Sequence, residues 1–190
     1  MKEVIFVLLN GFADWEGAFT AICLNQGVKP GNPINYKVKY LSITKEPVTS
    51  IGGLRVLPDY DLKDMPEDYA GLILIGGMRW FSPEAELIVP LVKKALKGNA
   101  SVFLGMHGFL NEVKHTSNTL DYLKQYAGDQ YTGESNYINK QAVRDENIVT
   151  ANGIGQLEFC REILYALEAD TAEAIEESYL FYKNGVCPKG

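Results

Sequence analysis

Cysteine and histidine are scarce in this chain. Its 190 residues include three cysteines, Cys23, Cys160 and Cys187, and two histidines, His107 and His115. Three widely spaced cysteines make neither a disulfide framework nor a zinc-ligand set, and two histidines cannot build a histidine-rich metal site. No metal and no cofactor is therefore expected. Clusters of lysine and arginine are missing too, and the net charge is −6. That charge pattern excludes nucleic acid and an anionic membrane surface as partners. No apolar run approaches the roughly 20 residues that span a bilayer as a helix. The opening MKEVIFVLLNGFADWEG runs from its apolar stretch into Asp and Glu, with no small-residue cleavage site. It reads as a first strand rather than a signal peptide, so a cytoplasmic protein is expected. Repeats, linkers and low-complexity tracts are also absent, which leaves one domain over residues 1–190.

What is there alternates. Residues 4–9 (VIFVLL) and 71–75 (GLILI) are continuous apolar runs, the mark of strands buried on both faces of a parallel sheet. Residues 36–44 (YKVKYLSIT) read as a further strand, and residues 48–57 as a hairpin around Gly52-Gly53. Residues 100–104 read as another buried strand that ends in a glycine-bracketed turn, ASVFLGMHG. Between these lie helical stretches. The first has Asp14 as its expected N-cap and Trp15, Ala18, Phe19, Ile22 and Cys23 as its apolar stripe. Another starts at Ser82-Pro83 and is closed by Gly98, with Pro90 either in its first well-formed turn or kinking it. Residues 119–127, 156–167 and 171–182 follow as helices, after a short hairpin turning at Asp145-Glu146-Asn147 in the case of the last two. Strands alternating with helices predict an α/β protein, a three-layer α/β/α sandwich of flavodoxin-like type with a mostly parallel central sheet. Ligands of such sheets bind beyond the carboxyl ends of the strands. Residues 10–16, 76–81 and 105–111 are the loops expected to gather there.

Four segments carry a resemblance: GFADWEGA after the first strand, LILIGGMRW in the middle, KHTSNTLDYL, and AVRDENIVTANGIGQLEFCREIL near the end. Together they resemble the ThiJ/PfpI family of the class I glutamine-amidotransferase-like superfamily, from the first strand to about Leu167. The resemblance implies a cysteine at a strand-to-helix elbow, in a sequence like AAICG, and a glutamate after the first strand that shares a hydrogen bond with the thiol. It also implies an oxyanion site made by backbone N–H groups near a Gly-Gly pair. Glu16 matches that glutamate, Gly76 and Gly77 match the paired glycines, and Trp80 falls where an aromatic residue would line the pocket. His115, Thr116, Ser117 and Asn118 match the segment that follows. Relatives commonly form homodimers, so a homodimer is the expected partner state.

The elbow departs from the pattern. Aligned from upstream, Gly105 takes the cysteine position; shifting by one residue offers Leu104 or Met106, and none of these can attack a carbonyl. Gly105 and His115 are ten positions apart, about two helical turns fewer than the pattern needs, so the supporting helix is expected to be cut short. A thiolate depends on such a helix N-terminus. Cys23 and Cys160 read as inert core thiols, and Cys187 beside Pro188 suggests no site. His115 reads as structural, bonding backbone. The expected function is a divergent family member without cysteine-dependent catalysis, binding a small molecule or a protein partner at a remnant pocket built from Gly76, Gly77, Trp80, Gly105 and Met106 around Glu16. The alternative is an enzyme, hydrolase or amidotransferase-like or acting on reactive carbonyls, in which Glu16 and His107 activate water.

Overall fold

In the computed structural model, which describes residues 1–95 and 101–185, the apolar run VIFVLL forms the middle of a parallel sheet. The elements in chain order are β1 (Lys2–Val7), α1 (Asp14–Gln26), β2 (Tyr36–Leu41), β3 (Val48–Thr49), β4 (Arg55–Val56) and β5 (Gly71–Leu74). There follow α2 (Val89–Ala95), α3 (Ser101–Met106), α4 (Leu120–Ala127), β6 (Ala142–Asp145), β7 (Ile148–Ala151), α5 (Gln156–Ala166) and α6 (Ala172–Asn184). The sheet runs β2-β1-β5, parallel throughout, with Val4 opposite Val38 on one side and Gly71 on the other.

Alternation of side chains along β1 divides the core into two layers. Val4, Phe6 and Leu8 face a cluster completed by Leu24 of α1, Phe159 of α5 and Ile175 of α6. Ile5, Val7 and Leu9 face a second cluster with Val92 of α2, Phe103 of α3 and Leu123 of α4. This is the predicted α/β/α sandwich of flavodoxin-like type. The hairpin β3-β4 is antiparallel, as predicted around Gly52-Gly53. It is sewn to the loop after β1 by Gly11 N–H to Thr49 O (2.7 Å), Thr49 N–H to Asn10 Oδ1 (2.9 Å) and Ile51 N–H to Phe12 O (2.9 Å). The second hairpin, β6-β7, turns through Glu146 at φ 47°.

Three expectations need correction. Asp14 is not the N-cap of α1: Ala13 holds that position without a side-chain cap, and the Asp14 carboxylate instead accepts from Ser50 Oγ and from Gly52 N–H (2.8 Å). The buried face of α1 is Gly17, Thr20, Cys23 and Leu24, so Trp15 and Ile22 of the predicted stripe stay exposed. Gly17 explains the rotation, because a Cβ there would sit 2.8 Å from Ile75 Cδ1 and 3.1 Å from Phe6, and its absence lets α1 lie directly on the sheet.

Finally, residues 101–104 are not a strand. Ser101–Met106 is the helix α3. A four-residue apolar run does not distinguish a buried strand from a buried helix. Here Phe103 packs on Trp80 with ring centroids 4.8 Å apart and the rings tilted, and Gly105 packs against α4. Among the described residues, no strand pairs with the outer edge of β5. A narrow cleft lined by Leu72, Ile73, Val149 and Ile163 separates that strand from β7. The elbow thus differs from expectation in kind: among the described residues, 101–104 form part of a helix and not a strand. Gly98 and Ala100, named above as a helix end and a strand start, lie outside the described residues, as does Cys187.

Candidate functional site

Two of the three predicted loops meet beyond the carboxyl ends of β1 and β5. Ala13 N–H donates to Gly76 O (2.9 Å), and Phe12 and Gly77 form an antiparallel bridge. Glu16, in the first turn of α1, turns toward this junction and accepts the Gly76 N–H at Oε2 (2.7 Å). At Gly77 a side chain would run into backbone, and at Gly76 it would displace the Glu16 carboxylate. A Cβ on Gly76 would lie 2.5 Å from Glu16 Oε2, and one on Gly77 would lie 2.6 Å from Gly11 O.

A cavity of about 250 Å³ opens over this junction. Glu16, Gly76, Gly77 and Trp80 line it. Trp80 is buried, with its indole N–H donated to Ile75 O (2.7 Å), so it presents a ring rather than a donor. Burial pushes the Glu16 carboxyl up to about 6, against the opposing effect of the Gly76 N–H bond.

The far wall comes from elsewhere in the chain. Ser101 Oγ donates to Ser117 Oγ (2.9 Å), tying α3 to the KHTSN segment. Thr116 fixes that segment to the end of the chain: its N–H donates to Thr150 Oγ1 and its hydroxyl to Lys140 O, both at 2.8 Å. Asn118 Oδ1 accepts from Gly153 N–H (2.8 Å), and Gly153 O accepts from the Trp15 indole (2.8 Å). Trp15, Ser101, Ser117 and Tyr122 were not singled out as pocket residues by the sequence. Trp15 stands beside Glu16 in GFADWEGA, and Tyr122 lies within the quoted TLDYL, but only the fold shows that they face one space.

The third predicted loop does not join them. Gly105 is buried in α3, where a Cβ would come within 3.0 Å of the Ala127 Cβ of α4. Met106 packs on the second core layer, and neither residue lines the cavity. Both assignments are corrected by the helix: its turn carries residues 105 and 106 past the cavity while residues 101–103 face it. His107 also lies outside. It packs on Phe103 with ring centroids 4.8 Å apart, and its Nε2 is 3.3 Å from Glu86 Oε1, without hydrogen-bond alignment.

His115 is fully buried, 2.7 Å from Val113 O through Nδ1 and 2.7 Å from the Tyr131 hydroxyl through Nε2. Burial holds its pKa below the ordinary value, so it stays neutral and structural, as read from the sequence. Cys23 and Cys160 are buried between α1 and α5. The adjoining Cys23 sulfur and burial push the Cys160 thiol up, away from nucleophilic thiolate. No cysteine, histidine, lysine or arginine lines the cavity among the described residues, and these residues hold no cluster of metal-ligating side chains. No described helix is long and apolar enough to cross a membrane.

Comparison with known proteins places this geometry. The model of the DJ-1/PfpI family matches residues 2–166. The protein named uncharacterized protease YdeA from Bacillus subtilis (strain 168) is 36% identical over 97% of this chain and 91% of its own length. A second B. subtilis protein, named uncharacterized protease YoaZ, is 33% identical over 96% and 91%. Among solved structures, a thiJ/pfpI family protein from Bacillus anthracis superposes with TM-score 0.89 at 33% identity, covering 97% of this chain and 92% of that one. A DJ-1 superfamily protein from Agrobacterium tumefaciens does so with TM-score 0.83 at 32% identity, covering 98% and 100%.

Proposed function

The chain belongs to the DJ-1/PfpI family, and from that premise we propose that it is a binding member of the family, taking a small molecule in the cavity over Glu16 without cysteine-dependent covalent chemistry. The observation that carries this reading is the composition of the cavity wall. It holds one carboxylate, hydroxyls and aromatic rings, and among the described residues it holds no thiol. Covalent catalysis of the type that the elbow pattern implies needs an activated sulfur at this place. The cysteines at 23 and 160 are sequestered in another layer of the fold.

The enzyme reading is weaker on this geometry. A water-activating pair of Glu16 and His107 would need both groups at one space, and His107 lies on the far side of Phe103, facing Glu86. Two relatives are named proteases, so peptide hydrolysis is the activity to test against. A thermal-shift screen with small carboxylates, aldehydes, amines and amino acids is expected to find ligands that stabilise the wild type and fail to stabilise Glu16→Gln. Turnover of peptide, amide or methylglyoxal that iodoacetamide abolishes would overturn the proposal, and so would an empty screen.

Self-association belongs to the same proposal: a cytoplasmic homodimer. Its support is apolar surface left outside the core, with Ile22 at 52% and Leu54 at 57% exposure. Light scattering that returns a single-chain mass at micromolar concentration would remove it.

A further inference from the structure

The lining of the cavity discriminates between ligand charges. Glu16 Oε2 is occupied by the Gly76 N–H, while Oε1 has no hydrogen bond or ion pair among the described residues. The neighbouring polar groups are neutral: Asn118, whose Oδ1 accepts from Gly153 N–H, and Ser101 and Ser117, joined through their hydroxyls. Around them stand aromatic faces, Trp15, Trp80, Phe81 and Tyr122. The titratable groups on the wall are Glu16 and the Tyr122 phenol. Asp14, next along α1, is turned away to Ser50 and Gly52 of the β3-β4 hairpin. The described wall residues from the loop after β5, from α3 and from β7 carry no charge.

An anion entering this space would meet an uncompensated carboxylate and no cation. A neutral molecule could give the carboxylate a hydrogen bond at most and would leave its charge desolvated without a counter-charge, which is costly. A cation removes that cost and gains the electrostatic attraction of the ring faces. We propose that the ligand is a small organic cation, an amine carrying an apolar or aromatic body, whose ammonium group pairs with Glu16 Oε1. The volume of about 250 Å³ lies below the roughly 300–1,000 Å³ of drug-sized sites, so the class is arylalkylamines and short alkylamines rather than peptides. This assignment rests on the binding reading above and adds to it the sign of the ligand charge.

The experiment is calorimetric titration at pH 7.5 with benzylamine, benzyl alcohol and benzoate, which share one body and differ in charge. Wild type is expected to bind benzylamine about tenfold more tightly than the alcohol and to reject benzoate. Glu16→Gln keeps an acceptor for the Gly76 N–H and should lose the preference. Tyr122→Leu should weaken benzylamine several-fold while leaving Glu16 in place. Benzylamine affinity should fall as pH drops through about 6, where the carboxyl takes up its proton. In a carbon-13 titration of the Glu16 carboxyl, saturating benzylamine should lower its midpoint.

Benzyl alcohol or benzoate binding as well as benzylamine overturns the cation assignment and leaves the binding reading standing. Benzylamine binding equally to Glu16→Gln does the same. If none of the three binds, the thermal-shift screen separates the cases: a hit of another class overturns only the cation assignment, and an empty screen overturns both.

Discussion

Glu16 is held half-buried by one backbone N–H, and its ionisation carries a measurable consequence. Its folded-state pKa of about 6 lies above the ordinary 4.5, so the native protein holds this proton more strongly than the unfolded chain. Below about pH 4.5 both states are protonated and the group contributes nothing; between 4.5 and 6 its contribution to stability falls, and above 6 the loss is constant. Glu16→Gln removes the charge and keeps the Gly76 bond. The stability of this variant relative to wild type should therefore rise across that window and level off above it, by about 2 kcal/mol at most. Urea denaturation at a series of pH values measures the difference, and a flat difference would contradict the burial of the carboxylate. This residue, with Gly76, Gly77 and Trp80, was legible in the sequence because it sits in short motifs at strand ends. Trp15 and Tyr122 were not, because nothing in a one-dimensional pattern says which way a helix turns its first residues.

Helix α3 is the element where the sequence misled. Its apolar run SVFL satisfies a buried strand and a buried helix equally, and the family pattern favoured the strand. Tertiary packing decided for the helix: Phe103 found the Trp80 ring, and Gly105 found the face of α4. A Cβ at Gly105 would approach Ala127 Cβ to 3.0 Å and Leu123 Cδ1 to 3.1 Å. Gly105→Val should therefore destabilise the protein by about 1–3 kcal/mol through overpacking, read as a lowered urea midpoint. A strand at this place would leave residue 105 free of α4, and the valine would then be harmless. Elements set by long apolar runs, β1 and β5, were read correctly, as were the two hairpins, whose Gly-Gly and Asp-Glu-Asn turns are local signals. The cap of α1 was misplaced by one residue because Asp14 found stronger partners in the neighbouring hairpin.

The molecule as a whole buries its two described thiols between α1 and α5, two of the helices that cover one face of the sheet. In a Cys187→Ser background, reaction of Cys23 and Cys160 with a maleimide should follow opening of the fold. The rate is expected to rise with urea along the unfolding transition; fast labelling in buffer would mean that α1 and α5 separate without unfolding. Topology also bears on how this chain is made. The strand at the centre of the sheet, β1, is translated before either of its neighbours, β2 and β5. On the ribosome, VIFVLL must wait until residue 41 has emerged for its first partner and residue 74 for its second. For that interval it is an apolar stretch open to a chaperone.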